Sequence, residues 1–179
     1  MRPLPYAPFY CEENAWHIAQ DERIRGYDPH VIFVTNARRQ CALFFQRAAR
    51  AASAPVFWDY HVFVVAKTAG ERWEVWDPDT LLGCPVALRT YLEKTFAMAS
   101  IARFAPVFRL LRAEDYIRTF SSDRRHMRSE RGHWQRPLPP WPAIIREGIG
   151  SNLDTFIDVE NPDLLDTYAL ARRFGLVLS

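Results

Sequence analysis

Apolar residues recur at helical spacing near the start of the chain. In CEENAWHIAQ, Cys11, Ala15, Ile18 and Ala19 fall on one face, and two glutamates occupy the first turn, where the helix dipole favours acidic groups. This pattern predicts a helix that begins at or near Cys11. The preceding residues 1–9 include three prolines, which favour an extended arm.

Short runs of β-branched and aromatic residues follow, separated by turn residues. Such runs predict strands, here HVIFVT, QCALFF, VFWDYHVFVVAKT, RWEVWD and VFRLL. NARR is the predicted turn between the first two runs, and AGE lies between the next two. Two later stretches, ALRTYLEKTFAMA and LLDTYALARRFG, have helical periodicity, and Gly175 stands where the second of these helices ends. A third stretch, EDYIRTFSSDRRHM, begins as a helix and loses its apolar stripe near Ser121.

Helices at both ends of a series of hairpin-forming strands predict an α+β fold, with a mainly antiparallel sheet flanked by helices. The chain has 179 residues, 49% of them apolar, which is enough for one domain with its own core. The proline-rich RPLPPWP is predicted to be a loop, because too little sequence follows it to form a second core. We therefore expect a single domain over residues 1–179.

Composition narrows the choice of partners and compartment. Lys and Arg number 23 against 21 Asp and Glu, so no overall field directs the protein to nucleic acid or to an anionic membrane. No apolar run approaches the roughly 18 residues of a membrane span, and prolines stand where a secretory signal would be apolar. The three cysteines are odd in number and widely spaced, which predicts a reducing compartment. We expect a soluble, cytoplasmic protein.

One predicted hairpin brings a histidine to an aspartate. If the three-residue loop Thr68-Ala69-Gly70 joins its strands, with Gly70 supplying a positive φ, His61 lies directly opposite Asp77. Opposed residues share a face of the sheet with Cβ atoms about 5 Å apart, close enough for a hydrogen bond between these side chains. The aspartate would then fix the tautomer of the ring and leave its other nitrogen as a base. A two-residue turn would place the two side chains on opposite faces.

A cysteine would supply the nucleophile for such a pair. A thiol at a helix N-terminus is biased toward thiolate by the dipole, and a nearby imidazolium lowers its pKa further, so Cys11 is the best candidate. The neighbouring Glu12 and Glu13 act against this bias. Cys41 lies in an apolar strand and is predicted to be core, and Cys84 lies in a turn without a histidine or acidic neighbour. The alternative for Cys11 is a small, packed apolar side chain.

Other motifs are weaker. The basic stretch at residues 124–131 lacks interleaved aromatics and is typical of a solvated loop. His126 and His133 lie near Asp123 and could bind a metal, although isolated histidines at such spacing are usually structural or exposed. No glycine-rich phosphate loop is present, so nucleotide binding is unsupported. We expect neither a cofactor nor a metal.

Six strings, taken together and in order, resemble the protein N-terminal glutamine amidohydrolase family. They are YCEENAW, VFWDYHV, VWDPDT, FRLLRAEDYIRTFSSDRRHM, PLPPWP and NLDTFI, and they extend from about Tyr10 to Phe174. The resemblance implies a compact fold related to the papain and transglutaminase group. It also implies a catalytic triad in which Cys11, His61 and Asp77 are the cysteine, the histidine and the aspartate.

The resemblance implies hydrolysis of the side-chain amide of an N-terminal glutamine in proteins or peptides, giving glutamate and ammonia through a thioester. In eukaryotes this creates a residue that can be arginylated, as in the N-degron pathway. Selectivity for a chain terminus requires a group that binds an α-ammonium, and an acidic side chain is the simplest solution. Glu13, Asp59 and Asp123 lie in the matched strings and are the candidates. Each is otherwise an ordinary surface or capping acid.

Two other functions remain open from the sequence. One is thiol acyl transfer of the protease or transglutaminase kind, which uses the same three residue types. The other is a catalytically silent module that binds N-termini. Because no heptad pattern or obvious apolar edge stands out, we expect a monomer.

Overall fold

A computed structural model describes residues 3–51, 53–67 and 69–178. The strands and helices, in chain order, are α1 (Cys11–Ile18), β1 (His30–Thr35), β2 (Cys41–Leu43), β3 (Val56–Trp58), β4 (Tyr60–Lys67), β5 (Trp73–Trp76), β6 (Val86–Ala87), α2 (Leu88–Thr95), β7 (Val107–Arg112), α3 (Ala113–Thr119), α4 (Leu153–Phe156) and α5 (Thr167–Arg173). A short 3-10 turn, Arg125–Met127, lies between α3 and α4.

Five strands form the main sheet in the order β6-β5-β4-β1-β7, and every neighbouring pair is antiparallel. A second sheet consists of β2 and β3 alone. With helices packed on the main sheet, the predicted α+β class is confirmed, as is the helix that begins at Cys11.

The central strand β4 is buried on both faces, and its side chains alternate between two cores. Val62 and Val64 point into a core shared with α1, α3 and α4. Phe63 and Val65 point into a second core shared with α2 and α5. The apolar side chains of β4 therefore hold α1 against one face of the sheet, and β4 is also the strand that carries His61.

The predicted turn at NARR is present between β1 and β2, but these two strands do not pair with each other. The strand β1 pairs with β4 and β7, whereas β2 pairs with β3 in the smaller sheet. The Asn36 side chain accepts hydrogen bonds from the backbone N–H groups of Arg38 (3.1 Å) and Gln40 (3.0 Å). These bonds close the turn locally. Because β4 and β7 occupy the two edges of β1, no edge of that strand is left for β2.

The last helix ends as predicted. Gly175 adopts φ 71°, its N–H bonds the carbonyl of Arg172, and the N–H of Leu176 bonds the carbonyl of Ala171. This is the paired closure that an αL glycine makes possible at a helix C-terminus. Within the described ranges, no helix has the length and apolar character needed to cross a membrane.

Candidate active site

The start of α1 is tied to the arm that precedes it. The Asn14 side chain accepts a hydrogen bond from the Ala7 N–H (2.8 Å) and donates one to the Ala7 carbonyl (3.0 Å). This two-point bond fixes the entry of the chain into the helix and therefore the position of Cys11, its first residue. The Cys11 side chain is 9% exposed and lines a cavity of about 560 Å³.

His61 lines the same cavity, and its ring is held from behind by Asp77. His61 Nε2 lies 3.1 Å from Asp77 Oδ2, which also accepts the Tyr91 hydroxyl at 2.8 Å. The other oxygen, Asp77 Oδ1, accepts the Asp79 N–H at 3.0 Å. Because Nε2 is engaged by the carboxylate, Nδ1 is the ring nitrogen left for chemistry in the cavity.

The buried Asp77 carboxylate stabilises the protonated form of His61. Burial opposes protonation of His61, but the charge and hydrogen bond of Asp77 outweigh it and raise the histidine pKa. Burial likewise opposes ionisation of Asp77, and contacts with His61 and Tyr91 nevertheless lower its pKa below the usual range. The Trp58 ring stacks parallel to the imidazole at 6.2 Å between centroids and adds to its confinement.

The predicted loop of this hairpin is wrong, although the contact it was meant to produce is present. The ladder pairs Val64 with Trp76 and Lys67 with Trp73, so residues 68–72 form a five-residue connection. Thr68 itself lies outside the described residues. The register therefore differs by two residues from the predicted one, which preserves the face of the sheet. Asp77 lies one residue beyond β5 and reaches His61 from there.

Burial dominates the environment of the Cys11 thiol. It raises the Cys11 pKa well above the usual range, and the nearby Glu12 carboxylate raises it further. Glu12 Oε2 lies 3.6 Å from Cys11 Sγ and accepts the Tyr60 hydroxyl at 3.1 Å. Both effects favour the protonated form of the thiol.

The three acids predicted to bind an α-ammonium lie in different surroundings. Glu13 is fully buried, and its two oxygens accept a bidentate pair from Arg124 (both 2.7 Å) and a bond from the Trp141 indole (2.7 Å). Asp123 pairs with Arg125 and is not part of the cavity wall. Asp59 is exposed and lines the cavity, so it is the member of this set that the fold brings beside Cys11 and His61.

Three polar groups near the cavity were not predicted to belong to this site, and the sequence indicated His126 only as a possible metal ligand. Asp79 is buried, lines the cavity and accepts the Tyr6 hydroxyl at 2.8 Å. His126 also lines the cavity and lies beside Glu12, and Tyr91 reaches Asp77 from α2. Asp79 could have been noticed, because it follows Asp77 by two residues in WDPDT. No pattern in the sequence pointed to Tyr91.

One group of side chains could hold a metal ion. Within the ranges described, His61, Asp77 and Asp79 each offer a ligand atom, and these atoms lie within 4.8 Å of one another. The contact between His61 and Asp77 already has the distance of a hydrogen bond, which accounts for their proximity without a metal.

The predicted core position of Cys41 is confirmed by its complete burial in β2.

The fold and cavity together define a class of protein. An α+β scaffold that brings a thiol, an imidazole and a buried carboxylate to one cavity has the groups used by cysteine-dependent hydrolases and acyl transferases. The sequence profile described as "N-terminal glutamine amidase" matches residues 6–179. The chain therefore belongs to the N-terminal glutamine amidase family.

Known proteins named "Protein N-terminal glutamine amidohydrolase" are similar over most of their length. The protein from Homo sapiens is 34% identical over 163 residues, covering 87% of this chain and 78% of its own. The protein from Arabidopsis thaliana is 32% identical over 192 residues, covering 97% of this chain and 87% of its own. A solved structure, protein-glutaminase from Chryseobacterium proteolyticum, has a TM-score of 0.41 at 17% identity, covering 76% of this chain and 65% of that one.

Proposed function

We propose that this protein hydrolyses the side-chain amide of an N-terminal glutamine in proteins or peptides, giving glutamate and ammonia. The relatives that carry this name cover most of the chain at 32–36% identity. The observation that carries the proposal is the shared cavity of Cys11 and His61, with Asp77 hydrogen-bonded behind the imidazole. In this proposal the whole chain, residues 1–179, acts as one catalytic domain.

Cys11 is proposed to be the nucleophile. As its sulfur attacks the amide carbon of the glutamine side chain, the thiol proton passes to Nδ1 of a neutral His61, because Nε2–H is engaged by Asp77. The resulting imidazolium is stabilised by the buried aspartate, which remains ionised. Burial raises the pKa of the Cys11 thiol in the free protein. The proton is therefore transferred as the sulfur attacks, and not beforehand.

Breakdown of the tetrahedral species gives the thioester. The C–N bond breaks, and the His61 imidazolium donates its proton to the departing nitrogen, which leaves as ammonia. The neutral imidazole then removes a proton from water as the water attacks the thioester carbon. As the C–S bond breaks, glutamate is released and the sulfur recovers a proton from the His61 imidazolium, which regenerates the Cys11 thiol.

The oxyanion formed at each attack requires hydrogen-bond donors. The N–H groups in the first turn of α1 have no carbonyl partners within the helix, and the helix dipole favours negative charge there. Since Cys11 is the first residue of α1, these donors lie next to the sulfur. We propose that they stabilise the oxyanion, as backbone donors do in other acyl-transfer sites.

Recognition of the chain terminus is assigned to Asp59. A free α-ammonium would pair with its exposed carboxylate, whereas an internal or acetylated glutamine brings no charge to it. Glu13 is a weaker candidate because Arg124 already neutralises it, and Asp123 is weaker because it does not line the cavity.

We also propose that the protein is a monomer of the cytoplasm. Cys11, Cys41 and Cys84 are free thiols, which suits a reducing compartment. Size-exclusion chromatography with light scattering tests the oligomeric state. Fractionation of the source cells tests the location.

The test of the proposed reaction is ammonia release together with the mass change of an amide becoming an acid. A peptide with a free N-terminal Gln is compared with its acetylated form and with a peptide that starts with Asn. We expect turnover of the first alone, its loss in Cys11→Ala, and its retention in Cys84→Ser, which keeps a polar atom near the Asp77 backbone at a residue that does not line the cavity. Equal turnover of the acetylated peptide would indicate a general glutamine deamidase or acyl transferase, and no turnover would favour a binding module.

A further inference from the structure

Beneath the cavity, the Glu12 carboxylate touches both a cysteine and a histidine. Oε2 lies 3.6 Å from Cys11 Sγ, and Oε1 lies 3.2 Å from Nε2 of His126. Glu12 is completely buried, and the His126 side chain is 23% exposed. A carboxylate in this position opposes ionisation of the thiol, because two negative charges so close repel each other in a medium of low dielectric constant.

The contact between Glu12 and His126 is close but imperfectly aligned. Within the described residues, Glu12 Oε1 and both ring nitrogens of His126 are buried atoms without a well-directed hydrogen bond, although the oxygen and Nε2 are within bonding distance. Buried polar atoms of this kind are rare and call for an explanation. A charged imidazolium would satisfy Glu12 by ion pairing, which depends less on direction than a neutral hydrogen bond does.

We infer that His126 is a positioning residue that acts through Glu12. As an imidazolium it neutralises the carboxylate beside Cys11 and so keeps the thiol ionisable. This inference rests on the proposed role of Cys11 as nucleophile. His126 itself does not need to touch the substrate.

The charge of His126 depends on its neighbours. Burial lowers the His126 pKa, but the hydrogen-bonding distance and charge of Glu12 outweigh it, with smaller contributions from Glu13 and Asp59, and the pKa is raised. Below that pKa, His126 is charged and compensates Glu12. Above it, the compensation is lost. The ionisable groups that act on His126 are Glu12 and Glu13 of α1 and Asp59 between β3 and β4. The same cavity is also lined by Arg39, His61, Asp79 and Arg136.

Alkylation of Cys11 by iodoacetamide measures this effect directly, because the uncharged reagent reports thiolate formation without requiring turnover. The rate at Cys11 is followed by peptide mass spectrometry from acidic to alkaline pH. In His126→Gln we expect alkylation about tenfold slower than wild type at acidic to neutral pH, since one compensating charge is absent. The ratio of the two rates should approach one at alkaline pH, where the wild-type histidine is neutral as well.

Two further variants separate positioning from general damage. In His126→Lys the charge persists to high pH, so we expect wild-type rates at neutral pH and faster alkylation than wild type at alkaline pH. In a Glu12→Gln background, adding His126→Gln should change the rate less than twofold, because no carboxylate remains to be compensated. His133→Gln, which alters an exposed histidine of the same segment outside the cavity, is the matched control and should behave as wild type.

The outcomes distinguish this inference from the proposed function. If Cys11→Ala still turns over the Gln peptide, the proposed nucleophile is wrong. If Cys11→Ala is inactive but His126→Gln is alkylated at the wild-type rate, or is slowed equally at every pH, the positioning role is overturned. Persistence of the effect in the Glu12→Gln background overturns it too. Should His126→Gln fail to fold, as judged by thermal melting, the comparison of His126→Lys with wild type at alkaline pH decides the matter.

Discussion

Replacing Tyr91 by phenylalanine is expected to weaken both the fold and the reaction. Its hydroxyl donates a 2.8 Å hydrogen bond to Asp77 Oδ2, the oxygen that also contacts His61, and all three side chains are buried. A hydrogen bond to a charged group contributes about 1.5–3 kcal/mol, and phenylalanine keeps the ring while removing the donor. We therefore expect a loss of about 2 kcal/mol in the free energy of unfolding.

The same bond orients the aspartate that holds the histidine. For a protein of this size, 1 kcal/mol shifts Tm by about 2–4 °C, so Tyr91→Phe should melt about 4–8 °C below wild type. If the loss of this orientation raises the activation free energy by about 1 kcal/mol, kcat for a Gln peptide falls roughly fivefold. Thermal melting and steady-state ammonia release measure the two effects.

Tyr10→Phe is the matched control. Tyr10 is also completely buried, but its hydroxyl has no hydrogen-bond partner in the described part of the chain. The same substitution there removes no bond and should leave Tm unchanged or slightly raised. If Tyr91→Phe keeps the wild-type Tm and kcat, the hydroxyl does not support Asp77 and the reasoning fails.

Three further predictions follow from the charges around the cavity. Arg124→Met should destabilise the protein by about 3–5 kcal/mol in urea unfolding, because it leaves the buried Glu13 without its cation; a loss below 1 kcal/mol would contradict this. The stability that Asp77 contributes should be present above about pH 4 and should be lost as the pH falls through its lowered folded-state pKa. When urea unfolding midpoints are measured at decreasing pH, the midpoint of Asp77→Asn should therefore fall less than that of wild type. Asp59→Asn should raise KM for a free N-terminal Gln peptide about tenfold with a smaller change in kcat, whereas Asp123→Asn should leave KM unchanged; the reverse order would refute the assignment of Asp59.

Sequence periodicity predicted the elements that matter most for the candidate site. Cys11 begins a helix, and His61 hydrogen-bonds Asp77, as expected. The loop between β4 and β5 was predicted two residues too short, yet the contact survived because a shift of two residues keeps side chains on the same face. Local sequence patterns therefore predict a side-chain contact when it depends only on which face of a helix or strand each residue occupies.

Side-chain environments could not be predicted in the same way. Glu13 and Asp59 are equally polar in the sequence, but one is buried beneath Arg124 and the other lines the cavity. The partner of Glu13 lies 111 positions away, and no local rule indicates such a pair. Likewise β2 pairs with β3 and not with β1, because β4 and β7 occupy both edges of β1. These features depend on tertiary contacts, which one sequence does not reveal.

The order of strands in the main sheet has a consequence for how the protein acquires activity during synthesis. A nascent chain that has emerged just past β5 already contains Cys11, His61 and Asp77. It still lacks Tyr91, the edge strand β7 that pairs with β1, and the segment with His126 and Leu153 that closes the cavity. We expect such a chain to be inert, so that hydrolysis begins only once the C-terminal half has left the ribosome and folded onto the first.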